Sequence, residues 1–533
     1  MTLSGEPLGK TTVRLSMASP APSLLTNYAA TTDAEGNFVF EEIEPADYFL
    51  SAERTGYLRV SYAAKGPNQP APPLTLNAGE KKTGVVLKVT PQSLVAGKVT
   101  DEDGDPFPGP FVQLYRATFQ NGQRQLQPIA GSRTLADGTF LIASLAAGKY
   151  YLSATQNWSR STPAGRRELP GRKGSQDDYA ITYFPSALDS ARATPIELTA
   201  GFEARGIEIR MRKTRMYRIA GRVVPPKGSP SEGVVLSLNS ALQPGGSVLG
   251  THDTLIHDRD GRFEFHHLLP GSYVIATQSG SQVHPLDGGP PQPAIGRVMV
   301  TVTNEDLDNV VLTLGPGAEI SGQFQWDGAA QPTGTRRPSL DLLPMQGFED
   351  VRSLPQADAG GTFVLKNVAP NRYTLIPENL PDGWYVKHIR FEGRDLPDWQ
   401  LDLTAGSGGK LEIIVSAGAA QITGVVRGEK GEVVRNPLLT LWQVGDPRPS
   451  PRGYFPIVKT HADGSFTIPN LAPGDCRVAA WEHLDFAAPL DPEFRERFDS
   501  KSVAIKLEEN STRHVDLTRI SFETVEADVA KIR

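Results

Sequence analysis

The side chains best able to do chemistry in this 533-residue chain are nine histidines and a single cysteine. A zinc peptidase centre needs His-x-x-Glu and a distant His around an open-sided metal, and no histidine here has Glu three residues on. His252, His257, His266 and His267 lie close together in sequence; histidines facing solvent beside a turn account for them more simply, and no metal site is assigned. Asp101-Glu-Asp-Gly-Asp105 has oxygen ligands at alternate positions, as a calcium loop would, yet lacks the distal bidentate Glu, so it reads as an acidic β-turn. Cys476 alone allows neither an intrachain disulfide nor a Cys-based zinc site. Neither a Gly-x-Ser-x-Gly elbow nor a Gly-rich phosphate loop before a helix is found, and carboxylates in turns are too frequent for spacing to nominate a pair. The chain reads as non-enzymatic, with no cofactor.

Binding chemistry leaves more to weigh. Sugar stacking needs flat aromatic faces on exposed loops, and three of the six tryptophans fall outside predicted strands: Trp158, Trp384 and Trp399. These are the candidate ligand-binding residues, against edge packing within the fold as the simpler account. Trp158 shares an insertion (about 156–180) with Arg160, Arg166, Arg167, Arg172 and Lys173, which invites an anionic polymer or is simply solvated. Trp326, Trp442 and Trp481 fall within predicted strands and read as packing residues.

The elements that must position these residues are short strands. The 52 glycines and 44 prolines, with Val, Thr, Leu, Phe and Tyr between them, are the composition of many turns joining strands. A net charge of −6 gives no field that argues for nucleic acid, and no apolar run of membrane-spanning length occurs. The length exceeds what one core can organise.

A period of about a hundred residues runs along the chain. Its unit is a Gly, a Phe two residues on and a Tyr ten after the Phe: Gly36, Phe38 and Tyr48; Gly138, Phe140 and Tyr150; Gly261, Phe263 and Tyr273; Gly361, Phe363 and Tyr373; Gly464, Phe466 and Cys476. Turn acids precede the copies (Asp33, Asp137, Asp260, Asp358, Asp463). A second anchor, at Gly97, Gly221, Gly322 and Gly424, stands 41–43 residues before the matching Phe. Downstream, alternating apolar segments such as Ile196–Leu198 and Ile207–Met211 predict a hairpin with one face buried and one wet.

The expected fold is therefore all-β: a tandem array of five seven-stranded antiparallel β-sandwiches over 1–91, 92–214 (with the 156–180 insertion), 215–316, 317–417 and 418–520, then a tail at 521–533. The recurring Phe and Tyr are expected in the cores, with the Tyr hydroxyl reaching a polar partner, and Cys476 as a buried, inert thiol. Copy one lacks its initial Gly-x-Val strand, so the chain is expected to begin inside a domain, with any export signal beyond view. Linkers of a few residues predict a semi-stiff, monomeric rod of nearly independent beads.

The order Gly97-Lys-Val, Asp105-Pro-Phe-Pro-Gly109, Asp137-Gly-Thr-Phe140 and Gly148-Lys-Tyr150 resembles the carboxypeptidase regulatory-like domain, a transthyretin-like sandwich grouped with Cna-B and carbohydrate-binding-like folds. The likeness covers essentially the whole chain. Copy four departs with Ala359-Gly-Gly and Asn371, and copy five with Cys476. Tyr183-Phe-Pro, Trp384-Tyr-Val-Lys, Ala480-Trp-Glu and Asp491-Pro-Glu-Phe494 are similar to phrases in multi-copy bacterial proteins of secreted or envelope location. Cna-B relatives can form a Lys-to-Asn isopeptide bond, which raises Lys98; Arg222, Gln323 and Val425 at its counterparts favour a solvated side chain. The resemblance implies the sandwich fold, which serves in stalks, adhesion modules and appendages of enzymes or transporters; the chain is read as a non-catalytic, secreted or cell-envelope protein that binds polysaccharide or an envelope protein through loops. The alternatives are a pure spacer or stalk, or an accessory module of an envelope transporter or peptidase system.

Overall fold

The computed structural model describes the chain apart from residues 19–26, 65–70, 72, 121–122, 157–176, 241–251, 258, 278–280, 287, 328–336, 346–355, 435–436, 445–462, 483, 485–487 and 530–533. The described residues fall into two compact units. One runs through residue 212 apart from 118–127 and 158–180; the other holds residue 213 onward together with those two segments.

The chain is all-β, built of small facing sheets. In copy two, one sheet has the order Glu203–Arg210, Ser93–Thr100, Thr139–Leu145, and the other Thr182–Tyr183, Gly148–Thr155, Phe111–Gln120, Gln123–Arg133. Copy three repeats this with Arg262–Leu268, Tyr217–Val224, Leu307–Thr313 facing His252–Leu255, Val235–Ser240, Gly271–Thr277, Arg297–Val302. In copy four the Phe-bearing strand Thr362–Val368 pairs with Ala318–Asp327, and that sheet continues through Gly409–Ala417 to Trp384–Phe391. In copy five, Leu517–Ile520 pairs with both Ala420–Arg427 and Gly474–Trp481 and so joins the two sheets.

The period-two alternation buries one face of each strand, as in Arg262–Leu268, where Phe263, Phe265 and Leu268 are buried. Burying each such side chain is worth about 1.5–3 kcal/mol. The apolar residues gather copy by copy: one cluster joins Ile219, Phe263 and Leu312, and another joins Ile320, Phe363 and Val415.

The expected hairpin is not formed. Ile196–Leu198 pairs antiparallel with Gly148–Thr155, whereas Glu203–Arg210 crosses to the opposite sheet and pairs parallel with Ser93–Thr100. Copies three, four and five also pair their first and last strands in parallel. Alternation specifies which face of a strand is buried, and that requirement is the same in either sheet.

Two further elements depart from expectation. Pro492–Phe498 is a helix capped by Asp491, whose carboxylate accepts from the N–H groups of Glu493 and Phe494. The segment expected as a tail holds the helix Phe522–Val529. Phe494, Phe498 and Val525 form a second buried cluster with Trp442 and Trp481.

Candidate functional site

The anchor glycines and the recurring Phe form cross-strand pairs. Gly97 lies opposite Phe140, Gly221 opposite Phe263, Gly322 opposite Phe363 and Gly424 opposite Phe466. This register is the physical meaning of the 41–43 residue spacing. A Cβ on Gly322 would stand 2.1 Å from Phe363 Cζ, and one on Gly424 would stand 1.7 Å from the Val515 carbonyl oxygen. Only glycine allows the parallel last strand and the Phe ring to approach so closely.

The tyrosines repeat one bond. The hydroxyls of Tyr48, Tyr150, Tyr273 and Tyr373 donate to the carbonyls of Glu44 (2.8 Å), Ala146 (2.8 Å), Leu269 (2.7 Å) and Ala369 (2.7 Å), each four residues upstream. The bond spans the turn before each strand. Burial pushes the Tyr273 hydroxyl up to about 12. Cys476 occupies this position in copy five, is 1% exposed, and has its thiol pushed up to about 12 by burial, with the Asp475 charge adding to it. A thiol so seldom ionised is a packing group. Phe140, Phe263, Phe363 and Phe466 are buried; Phe38 is half-buried. Among the described residues, no first strand pairs with the Phe38 segment.

The candidate tryptophans divide. Trp399 is 2% exposed and Trp384 is 7% exposed, both in the core of copy four, and Trp384 meets Trp326 edge-on at 4.9 Å. Their indole faces are occupied by neighbouring core side chains, which removes them as stacking platforms for a sugar. Trp399 also has φ of +54°, uncommon for a bulky residue. Trp158 and the basic cluster Arg160, Arg166, Arg167, Arg172 and Lys173 lie outside the described residues. Trp481 is buried, with its indole N–H donated to Thr440 Oγ1 at 2.8 Å.

The histidines among the described residues do not converge on a metal site. His266 Nε2 stands 3.1 Å from Glu264, His267 Nδ1 stands 3.6 Å from Asp178, and His257 is exposed. Among the described residues, no group of three or more His, Cys, Asp and Glu is placed to hold a metal ion. No helix among them is long and apolar enough to cross a membrane.

Sequence reasoning passed over the contacts at two boundaries between copies, one and two and four and five. At the end of copy four, the turn carbonyl of Gly383 accepts the N–H groups of Gly418 (3.1 Å) and Ala419 (3.0 Å). The Gly383 N–H is donated to Asn470 Oδ1 at 2.8 Å, and Asn470 Nδ2 donates to the carbonyls of Leu380 (3.2 Å) and Pro381 (2.9 Å). A cleft of about 470 Å³ opens beside this joint, lined by Asp382, Gln421, Thr467, Asn510 and Thr512. Between copies one and two, the Gly56 carbonyl accepts from Gln92 N–H at 3.0 Å, and within copy one the Thr90 carbonyl just before that boundary accepts from Leu58 N–H at 2.8 Å. Joints built from backbone pairs and one amide side chain are suited to fixing the relation of neighbouring sandwiches.

No protein-family model matches the chain, so its resemblance to carboxypeptidase regulatory-like domains rests on the motif order alone. Two curated relatives, the BOS complex subunits NOMO3 and NOMO2 of Homo sapiens, are each 24% identical over 324 residues, covering 55% of this chain. The match spans only 23% and 22% of their lengths. Among solved structures, the Bacillus anthracis TIE protein is 12% identical, covering 83% of this chain and 75% of its own, with a TM-score of 0.17. A streptococcal ancillary pilin is 15% identical, with coverage of 59% and 95% and a TM-score of 0.19. Two B repeats of the Staphylococcus aureus collagen-binding protein are 12% identical, with coverage of 73% and 93% and a TM-score of 0.14. Scores this low carry no argument, and the β-sandwich fold stands on the chain's own strand pairing.

Proposed function

We propose that the chain is a non-catalytic protein of the cell envelope or extracellular space whose tandem sandwiches, five by the sequence repeat, act as a spacer holding protein partners at a set separation. The observation that carries this reading is the pair of hydrogen-bonded joints at Gly56 and Gly383, because a tether needs no such contacts and a spacer does. The tyrosine hydroxyls, the thiol and the buried tryptophans are committed to packing, which fits the same role. That the curated relatives are named as subunits of a complex supports protein partners over polysaccharide.

Replacing residues 317–417 by an unrelated sandwich of equal span that keeps the 380–383 turn at the joint should preserve function in the host, and excising them should abolish it. Loss in both cases would sink the spacer and point to a binding surface in the replaced copy. Loop binding of polysaccharide is the second reading, kept by the aromatic and basic composition of the 156–180 insertion. A polysaccharide pull-down lost in Trp158→Ala would establish it.

A further inference from the structure

The residue four positions after the repeat's Phe has a left-handed backbone in every copy: Glu42 (φ 56°), Ser144 (61°), His267 (60°), Asn367 (59°) and Asn470 (61°). In copies two to five the cause is a bulge. Pairing of the Phe strand with the first strand slips between Ser93 and Val95, Tyr217 and Ile219, Ala318 and Ile320, and Ala420 and Ile422, and a bulge re-aims the side chain it carries. In three copies that side chain meets a residue preceding the copy's first strand. Ser144 Oγ donates to Gln92 Oε1 at 3.1 Å, His267 stands 3.6 Å from Asp178, and Asn470 makes its three bonds to Leu380, Pro381 and Gly383.

We propose that this position is the joint key of the repeat, and that Asn470 locks copies four and five into one cooperative unit. Asparagine suits the task twice over. It tolerates the left-handed backbone better than most residues, and its amide offers an acceptor and two donors, which here meet one N–H and two carbonyls. The backbone alone does not make the key, since Asn367 has the same residue type and nearly the same φ yet is exposed. The facing turn Leu380-Pro-Asp-Gly383 supplies what Asn367 lacks. The lock is independent of what the chain binds, so its failure leaves the spacer reading to its own test.

The experiment is site-resolved hydrogen exchange on the full chain with N470G, which keeps the left-handed backbone and removes the amide. The amides of Gly418 and Ala419, which Asn470 does not touch, should exchange about ten- to a hundred-fold faster, while Val478 in the core of copy five keeps its protection. N470D, which retains an acceptor but sets a carboxylate against two carbonyls, should be at least as fast, and N367G should leave these amides unchanged. Unchanged exchange at Gly418 and Ala419 in N470G would overturn the proposal. So would an equal loss throughout copy five, which would make Asn470 a residue of its own sandwich, or separate urea transitions for copies four and five in the native sequence.

Discussion

The cross-strand pairing of glycine and phenylalanine can be tested by Gly322→Ala. A Cβ there would lie 2.1, 2.3 and 2.6 Å from Phe363 Cζ, Cε2 and Cε1, so the ring must retreat by roughly 1.3 Å to reach ordinary van der Waals contact at about 3.4 Å. Phe363 is 5% exposed and already rests against Phe324 at 5.5 Å between ring centres, which leaves it little room. Overpacking of this kind costs about 1–3 kcal/mol. Phe363→Ala alone leaves a cavity and costs about 3–5 kcal/mol. In the double variant the new methyl enters the vacated space, so the combined loss should fall short of the sum by about 1–3 kcal/mol. Urea unfolding, followed through exchange of the Leu365 and Leu375 amides, measures all three. Gly97→Ala with Phe140→Ala is the control: the three atoms nearest a Cβ there all belong to Ile207, its carbonyl oxygen at 2.0 Å, which removing a ring does not relieve. Simple additivity in the Gly322 pair would refute the reasoning that the ring enforces the glycine.

Three other outcomes follow from the same framework. Tyr373→Phe, which deletes the 2.7 Å bond to the Ala369 carbonyl, should destabilise copy four by about 1–2 kcal/mol in urea unfolding, and Tyr150→Phe should cost copy two a similar amount. Cys476, with its thiol pushed up to about 12, should resist iodoacetamide at neutral pH in the native protein and react once copy five unfolds, so labelling kinetics with mass spectrometry read the opening of that copy. Asp358 is held below the ordinary carboxylate value chiefly by the Thr362 hydroxyl, then by the Thr362 N–H. Its contribution to stability is therefore present above the unfolded value of about 3.9 and lost as pH falls through the lower folded value; Thr362→Val should bring the Asp358 titration, followed by NMR, back toward the ordinary value.

Much of this was legible in local pattern. Alternation in Arg262–Leu268 marked a half-buried strand, the Gly-x-Phe spacing marked a turn entering it, and Cys476 in place of Tyr marked a core position. Asp491-Pro-Glu-Phe494 carries a helix start in plain view, a capping acid followed by proline at the first helical position, and the strand-dominated context obscured it. Trp384 and Trp399 misled because their surroundings read as loop, whereas Trp384 opens the strand Trp384–Phe391 and Trp399, in an irregular segment, folds back into the core. The joint key had a signal too, a fixed offset from each Phe, but Glu42, Ser144, His267, Asn367 and Asn470 share backbone geometry and not side-chain chemistry.

The amino-acid order alone determined an all-β chain of repeating sandwiches, because turn residues and alternating burial act over a few neighbours and are written locally. Which strand pairs with which, and which amide grips which turn, was decided only on folding. Asn470 and Gly383 are 87 residues apart, and a contact at that separation is selected by the competition among assembled surfaces, a competition that no local run of residues encodes.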